Sequence, residues 1–296
     1  MAHLLLLGSG YSAAYIAERF LKAGFRVSAT TRDCTHQEQA KKPMPSAVTL
    51  IETNYHDFTL PADCTHLIMT APVSLEEDDI LWSQITKAVH QAVQLQWIGY
   101  LSTTSVYGDA EGAWVVETAS LNPSSPRAHK RALAEEKWTA LAREKAIALD
   151  IFRLTGIYGP GRSAIDSLRA GRARMIIKEN QVFNRIHVAD IAAVCFAAVD
   201  HSTNQAECRV FNVSDGQPAP PQDVITFAAE MMGVPCPPAI PFAQADLSPM
   251  AHSFYSENKR IDNGKMLAEL AVDLNYPTYQ DGLRAIWAGM SQESVK

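Results

Sequence analysis

The chain has 296 residues, of which 47% are hydrophobic and 20% are charged, and its formal net charge is −6. This composition excludes an intrinsically disordered chain, and the acidic balance argues against a nucleic-acid-binding protein, which usually carries a basic patch. The five cysteines include no C-x-x-C pair, which argues against a disulfide framework and a cysteine-rich metal site. Apolar runs at 4–7 and 191–199 are too short for a signal peptide or a membrane span. We therefore expect a cytoplasmic protein with neither a metal site nor a membrane partner.

Short apolar segments alternate with segments of helical periodicity through the first half of the chain. Such alternation implies right-handed crossovers and a parallel sheet covered by helices on both faces. It predicts an α/β fold, a doubly wound Rossmann-type parallel sheet. The predicted strands lie at 3–7, 27–30, 47–51, 66–70, 97–101 and 148–154, and the predicted helices at 12–22, 77–95 and 128–145.

The pattern changes after Gly156. Residues 216–249 hold eight of the sixteen prolines, which is typical of a loop-rich lobe. We expect 1–155, with 185–215 returning to the sheet, to form the first domain. Residues 156–184 and 216–296 are expected to form a smaller C-terminal lobe that binds the substrate, called the second lobe below. Its predicted helices lie at 222–232, 263–271 and 279–289.

The segment 8–13, called the phosphate loop below, reads G-S-G-Y-S-A and follows the first predicted strand. Gly8, Gly10 and Ala13 form a G-x-G-x-x-A pattern. Its first glycine permits a tight turn, its second lets the backbone approach a pyrophosphate, and its third small residue lets helix pack against strand. With Tyr11 and Ser12 at the start of the next helix, this pattern predicts a dinucleotide-binding site.

The end of the second strand bears on the choice of cofactor. An NAD-binding site usually has a carboxylate there, which holds the ribose 2′-hydroxyl. Thr31 occupies that position and Arg32 follows, a pairing that suits the 2′-phosphate of NADP. Asp33 would be the acid of an NAD site if the strand ended one or two residues later. We therefore predict NADP, with NAD as the alternative. The residues after the fourth strand, Thr70, Ala71 and Pro72, are expected to lie along the adenosine and ribose.

Four further segments make the sequence resemble the extended short-chain dehydrogenase/reductase superfamily, which includes NAD(P)-dependent epimerases and dehydratases. They read L-S-T-T-S-V-Y-G-D (101–109), R-L-T-G-I-Y-G-P-G-R (153–162), R-I-H-V-A-D-I-A (185–192) and V-F-N-V-S-D-G (210–216). The resemblance is strongest to an atypical branch that also has a K-R-I-D-N-G-K-type segment (259–265). It implies that Thr103 ends the fifth sheet strand and hydrogen-bonds the substrate oxygen.

The sequence departs from this superfamily at the Tyr-x-x-x-Lys pair, which normally transfers the proton and holds the nicotinamide ribose. If Glu135 is the family's usual glutamate, Arg131 stands in the lysine position and Arg127 in the tyrosine position. If Lys130 is the lysine, Pro126 replaces the tyrosine. Arginine does not deprotonate in proteins, so neither register restores a catalytic phenol.

Tyr107, Tyr158 and His129 are candidates to replace the missing tyrosine. We select Tyr107 because it follows Thr103 at the carboxyl end of a strand, where ligands bind in such sheets. His187 and Asp190 suggest a catalytic dyad, but we assign them structural roles, with Asp190 as a helix N-cap.

Two functions remain open on the sequence alone. One is an NAD(P)-dependent oxidoreductase or epimerase acting on a small carbonyl or alcohol substrate, with a nucleotide sugar as one candidate. The other is a non-catalytic NADP(H)-binding redox sensor or scaffold. Either protein would be a monomer or a homodimer.

Overall fold

The computed structural model describes residues 1–35, 41–71, 78–202 and 206–293. Within these ranges the strands are β1 (His3–Leu7), β2 (Arg26–Thr31), β3 (Thr49–Glu52), β4 (His66–Met69), β5 (Trp97–Thr103), β6 (Trp114–Val115), β7 (Ala148–Leu154), β8 (Gly156–Tyr158), β9 (Met175–Ile177), β10 (Arg185–His187), β11 (Cys208–Val213), β12 (Ala239–Pro241) and β13 (Arg260–Ile261). The helices are α1 (Tyr11–Lys22), α2 (Asp78–Gln91), α3 (Pro126–Lys145), α4 (Ala164–Arg169), α5 (Val188–Asp200), α6 (Pro221–Met232), α7 (Pro249–Tyr255), α8 (Gly264–Leu270) and α9 (Tyr279–Glu293).

The central sheet of the described residues has seven parallel strands in the order β3-β2-β1-β4-β5-β7-β11. The chain leaves β1 toward β2 and β3 on one side, then returns to place β4 on the other. This reversal opens a crevice at the carboxyl ends of β1 and β4, where ligands bind in open α/β sheets. The predicted doubly wound α/β fold is confirmed.

Both faces of the sheet are covered, which explains its continuous apolar strands. All five residues of β1 and all seven of β7 are buried. One face packs against α1 and α5 through Ile16, Phe20 and Ile191. The other packs against α2 and α3 through Val89 and Trp138. The crevice therefore lies on a rigid support.

The second lobe is built around α4, α6 and α9, whose apolar side chains meet at Ile165, Ala228 and Leu283. The short strands β8 and β10 pair in parallel and carry the chain between this lobe and the main sheet. None of the helices in the described part of the chain has both the length and the apolar character needed to cross a bilayer. The same residues contain no cluster of three or more potential metal ligands.

Asp190 is not the predicted N-cap of α5. The helix begins at Val188, so Asp190 lies in its first turn, and the His187 ring caps it by accepting the Ala189 N–H at 3.2 Å. The buried Asp190 carboxylate accepts the backbone N–H of Asn275 at 2.8 Å and that of Tyr276 at 3.0 Å. It anchors the segment that leads into α9.

Candidate functional site

Gly8 makes the tight turn between β1 and α1. Its φ is +114°, a conformation that favours glycine, and a Cβ there would lie 2.9 Å from the Thr70 hydroxyl oxygen. The Gly8 N–H donates to the hydroxyl oxygen of buried Thr30 at 2.8 Å. The start of the phosphate loop is thus fixed from β2 on one side and from the end of β4 on the other.

Gly10 is the N-cap of α1 and supplies no side-chain cap. No side chain among the described residues is seen to cap the N–H groups of the first helical turn, at Tyr11, Ser12 and Ala13, and such groups are a ready site for a phosphate. A Cβ built on Gly10 would meet nothing within 4 Å. This open space fits the close approach of a pyrophosphate to the backbone.

In the turn after β2, the Arg32 guanidinium is exposed and the Asp33 carboxylate is hydrogen-bonded to a neighbouring residue. The Asp33 carboxylate accepts from the backbone N–H of Thr35 at 2.7 Å and from its hydroxyl at 2.6 Å. The Thr31 hydroxyl donates to the Asp33 carbonyl at 2.9 Å. Arg32 is exposed to solvent at the tip of the strand, and it forms no ion pair with a described carboxylate. The Arg32 guanidinium is therefore accessible at the tip of β2.

The segment after β4 supports the phosphate loop. The Thr70 hydroxyl donates toward the carbonyls of Leu7 and Gly8, each at 3.1 Å, and the Ala71 N–H donates to the Leu7 carbonyl at 2.9 Å. These two predicted residues therefore lie against Gly8. Pro72 lies outside the described residues.

Thr103 ends β5 at the same edge of the sheet. Its side-chain oxygen accepts the Ser105 N–H at 3.2 Å and lies 3.3 Å from the Ser105 hydroxyl oxygen. Both side chains are partly exposed. The hydroxyl groups of Thr103 and Ser105 are thus both available at the end of β5. The sequence 101–109 gives no reason to select Ser105 over its neighbours, so only Thr103 is predicted from the sequence.

The Tyr107 side chain points into the protein and is only 4% exposed. Its hydroxyl donates to Asn212 Oδ1 at 2.7 Å and accepts from Arg153 Nη1 at 2.8 Å. Arg153 in turn forms a buried ion pair with Glu135, 2.8 Å from Nη2 to Oε2. Burial raises the pKa of the Tyr107 hydroxyl. This enclosed position does not support the predicted proton transfer, because a proton donor has to reach the reacting oxygen.

Helix α3 contains no tyrosine. Glu135 accepts from the Ser102 hydroxyl at 2.5 Å, and Arg131 Nη1 donates to the Leu101 carbonyl at 2.9 Å, so both side chains face β5. One turn earlier, Arg127 is exposed at the start of the helix and makes no side-chain hydrogen bond to another described residue.

The other two candidates for proton transfer lie elsewhere. Tyr158 is buried against the His187 ring, with centroids 5.2 Å apart, and its hydroxyl points toward the Thr278 carbonyl at 3.4 Å. His129 is exposed on α3, with Nδ1 3.0 Å from the Ser125 carbonyl oxygen. Neither is brought to Thr103 by a contact among the described residues.

Tyr11 connects the phosphate loop to the second lobe. Its hydroxyl donates to the Pro160 carbonyl at 2.9 Å, and a Cβ at Gly159 would lie 2.5 Å from that hydroxyl. The loop at 159–162 therefore lies directly against the start of α1. Nothing in the local sequence indicates this contact, because its partners are 149 residues apart.

Comparison with known proteins places this geometry in a family. Residues 4–214 match the NAD dependent epimerase/dehydratase family. A conserved protein of Silicibacter pomeroyi DSS has 42% sequence identity and a TM-score of 0.87, over 98% of this chain and 99% of the other. MoeE5 in complex with UDP-glucuronic acid and NAD has the same fold, with a TM-score of 0.78 and 17% identity over 99% of this chain and 100% of the other.

A shorter match links the chain to Protein YeeZ of Escherichia coli (strain K12). The two are 35% identical over 109 residues, which is 36% of this chain and 38% of YeeZ. The chain thus spans little more than a third of that curated relative. The match over residues 4–214 shows that the chain belongs to the NAD dependent epimerase/dehydratase family.

Proposed function

We propose that this protein binds NADP(H) and acts as an oxidoreductase or epimerase of the atypical short-chain type on a small carbonyl or alcohol substrate. The observation that carries the proposal is the uncapped start of α1 at Gly10, in the crevice onto whose edge Thr103 also projects. When bound, the nicotinamide would donate or accept a hydride. The residues of this chain would orient the substrate and stabilise charge on its oxygen.

The adenosine half of the cofactor would lie along Thr31, Arg32, Thr70, Ala71 and Pro72. Arg32 supports NADP over NAD because it is accessible to solvent, while the Asp33 carboxylate is hydrogen-bonded within its own turn. A guanidinium offers charge-assisted hydrogen bonds to a 2′-phosphate, which NAD lacks.

The substrate oxygen would accept a hydrogen bond from Thr103, with Ser105 beside it. The exposed guanidinium of Arg127 would lower the energy of negative charge developing on that oxygen, as positioned charges do in many active sites. Tyr107 would act as a positioning residue, because its hydrogen bonds to Asn212 and Arg153 fix the turn that carries Ser105. The proton would then come from solvent, in the absence of the Tyr-x-x-x-Lys pair.

The substrate class is a further part of the proposal. MoeE5, which shares the fold, has been solved in complex with UDP-glucuronic acid and NAD. A nucleotide sugar is therefore the first class of substrate to test. Free sugars and simple carbonyl compounds form the second.

The experiment is a calorimetric titration with NADPH and with NADH, followed by a turnover screen of nucleotide sugars and carbonyl compounds. The proposal expects NADPH to bind at least about tenfold more tightly, which corresponds to about 1.4 kcal/mol. It also expects Thr103→Ala to lower kcat while Thr103→Ser, the matched control, retains most of it. If neither NADPH nor NADH binds, the proposed cofactor is wrong.

A second candidate is a non-catalytic NADP(H)-binding sensor or scaffold. It is favoured by the absence of a tyrosine from α3 and by the enclosure of the Tyr107 hydroxyl. This candidate expects tight NADPH binding with no oxidation of NADPH by any compound in the screen. Turnover that Thr103→Ala abolishes would exclude it.

A further inference from the structure

The start of α1 is joined to the loop at 159–162, which lies between β8 and α4, through the side chain of Tyr11. The loop is a closed unit, because the Gly159 N–H donates to the Arg162 carbonyl at 3.1 Å and the Arg162 N–H donates to the Gly159 carbonyl at 2.9 Å. The Tyr11 hydroxyl donates to the carbonyl of Pro160 at 2.9 Å. A displacement of Tyr11 would therefore be passed to the whole loop.

The fit between Tyr11 and the loop is close. A Cβ built on Gly159 would lie 2.5 Å from the Tyr11 hydroxyl oxygen and 2.7 Å from a methyl carbon of Val188. A side chain at position 159 would therefore push Tyr11 or α5 away from the loop. Burial raises the pKa of the Tyr11 hydroxyl, so the group keeps its proton and donates to Pro160 across the physiological pH range.

The Tyr11 ring is supported along α1 independently of its hydroxyl. It packs edge-on against the Tyr15 ring, with centroids 5.4 Å apart. The Lys42 ammonium lies 4.2 Å from the centre of the Tyr15 ring and 2.8 Å from a carboxylate oxygen of Glu18. Removal of the hydroxyl alone should therefore leave the ring in place, which makes the hydrogen bond to the loop testable by one substitution.

Tyr11 also has a role through its backbone. It is the first residue of α1, and its N–H is one of the helical N–H groups proposed to bind the pyrophosphate. The same residue thus reaches two sites, with its N–H at the proposed nucleotide site and its hydroxyl on the second lobe. A ligand that fixes the first turn of α1 also fixes the Tyr11 side chain and, through Pro160, the loop.

We propose that Tyr11 is a positioning residue that couples the nucleotide site to the second lobe: bound nucleotide restrains the loop at 159–162, and the restrained loop slows nucleotide release. The inference rests on the proposed function, because it requires a nucleotide on the phosphate loop. Coupling between two sites is reciprocal, so a nucleotide that favours the restrained loop is itself held more tightly by it. The loop leads into α4, which belongs to the helical core of the second lobe. The nucleotide would thus help to fix the lobe that is expected to receive the substrate.

The first measurement is hydrogen–deuterium exchange of the full chain, read by mass spectrometry on peptides that contain residues 159–162. The Gly159 and Arg162 amides are hydrogen-bonded to each other's carbonyls, so their exchange reports opening of the loop. Tyr11→Phe removes the hydroxyl and keeps the ring. Tyr55→Phe is the matched control, because the Tyr55 hydroxyl oxygen lies 2.8 Å from the hydroxyl oxygen of Thr30, which supports the phosphate loop. Among the described residues, the Tyr55 hydroxyl makes no hydrogen bond to the second lobe.

In the nucleotide-free protein, Tyr11→Phe should speed the exchange of these amides by about threefold to tenfold, the factor that corresponds to loss of one hydrogen bond. Tyr55→Phe should change it by less than about twofold. Saturating NADPH should slow the exchange at least about threefold in the wild type and less than about twofold in Tyr11→Phe. Equal exchange in the wild type and Tyr11→Phe, or the same acceleration in Tyr55→Phe, would overturn the coupling.

The second measurement is the rate of NADPH release, followed by its fluorescence in a stopped-flow instrument. The dissociation rate constant should rise at least about threefold in Tyr11→Phe, while the association rate constant stays within about twofold. A merely structural role for the hydroxyl predicts a lower melting temperature with an unchanged dissociation rate constant. That result would exclude the coupling.

Failure of the proposed function gives a different result from failure of the coupling. Calorimetry first establishes which nucleotide binds the wild type more tightly, and that nucleotide is used throughout. If neither NADPH nor NADH binds, the proposed nucleotide site is wrong and the coupling is wrong with it. If the wild type binds nucleotide and Tyr11→Phe releases it at the wild-type rate, the proposed function stands and the coupling alone is wrong.

Discussion

Arg131 Nη1 donates to the carbonyl oxygen of Leu101 at 2.9 Å, and also to the Tyr100 hydroxyl at 3.1 Å. If Glu135 is the family's usual glutamate, the residue at the lysine position is therefore hydrogen-bonded to β5. A lysine that holds a nicotinamide ribose would instead reach into the crevice. In this protein the Arg131 side chain contributes hydrogen bonds to β5, whereas the Arg127 side chain is exposed at the start of α3.

This difference predicts that substitutions at Arg131 and Arg127 affect the free energy of unfolding to different extents. Arg131→Ala should lower the free energy of unfolding by about 1–3 kcal/mol, because it removes the hydrogen bonds to the Leu101 carbonyl and the Tyr100 hydroxyl. Its affinity for NADPH should stay within about twofold of the wild type. Arg127→Ala, the control, should change the free energy of unfolding by no more than about 0.5 kcal/mol. Urea denaturation and NADPH titration measure both quantities. A large loss of NADPH affinity in Arg131→Ala would show that this side chain reaches the cofactor.

Gly10 offers a test of the phosphate loop that separates binding from folding. A Cβ at Gly10 meets no atom of the described residues, but it would occupy the space proposed for the pyrophosphate. Gly10→Ala should therefore keep the unfolding free energy within about 1 kcal/mol and weaken NADPH binding by at least about tenfold. Gly8→Ala should damage both, since its φ is +114° and Thr70 lies in the way. Wild-type affinity in a folded Gly10→Ala protein would place the cofactor elsewhere.

Arg32 decides the proposed preference for NADP. Arg32→Ala should weaken NADPH binding by about tenfold, the loss of roughly one charge-assisted contact to phosphate, and should leave NADH binding unchanged. Asp33→Ala is the informative counterpart, because it should not weaken NADH binding if the carboxylate serves only its own turn. Competitive titrations of the two nucleotides measure the ratio. A loss of NADH affinity in Asp33→Ala would instead identify an NAD site.

Tyr107→Phe separates positioning from proton transfer. The substitution removes one buried hydroxyl and leaves Asn212 and Arg153 each short of a partner, so the unfolding free energy should fall by about 1–3 kcal/mol. A positioning role predicts that kcat, once a substrate is known, falls by the same factor at every pH. A proton-transfer role predicts that an ionisation disappears from the pH profile. The profile of kcat against pH therefore distinguishes the two roles.

Asp215 predicts a pH dependence of stability with a defined sign. Burial raises its folded pKa to about 7, above the ordinary value of 3.8, so the folded state holds this proton more tightly than the unfolded state. The stabilisation is full below pH about 4 and is lost as pH rises to about 7. Compared with Asp215→Asn, the wild type should lose up to about 4 kcal/mol over that interval. Denaturation at several pH values measures the difference, and parallel curves for the two proteins would contradict the shift.

The same comparison removes the contribution of histidines that act in the opposite direction. Burial lowers the pKa of His66 and of His187 to about 4. The contribution of each histidine to the free energy of unfolding therefore increases as pH rises from about 4 toward 6.5. Both are present in the wild type and in Asp215→Asn. Their effect therefore cancels when the two curves are subtracted.

The sequence predicts the parts of the site that depend on local order. The phosphate loop follows a buried strand and begins a helix, so the residues on either side are enough to identify its glycines. The sheet also follows from the alternation of strands and helices. Strand β5 continues two residues beyond the predicted end at 101, which brings Thr103 to the end of the strand.

The features that the sequence does not predict depend on distant partners. Tyr107 is enclosed by Asn212 and Arg153, which are 105 and 46 residues away, and no local pattern records such contacts. Asp190 resembles a cap in the sequence because the amides that it binds, at 275 and 276, lie in another segment. Asp33 would be the ribose ligand of an NAD site if the second strand ended one or two residues later, but the strand ends at Thr31 and the Asp33 carboxylate accepts a backbone N–H of the following turn.

The order of the central sheet has a consequence for synthesis of the chain. Strands are added outward from β1, first β2 and β3 on one side, then β4, β5, β7 and β11 on the other, so each new strand pairs with one already made. A chain emerging from the ribosome can therefore build the sheet without waiting for a strand that lies downstream. The hydrogen bond from Tyr107 to Asn212 is the exception, because Asn212 lies in β11, the last strand of the sheet to be synthesised. The turn that carries Ser105 acquires its final support only when β11 has been added.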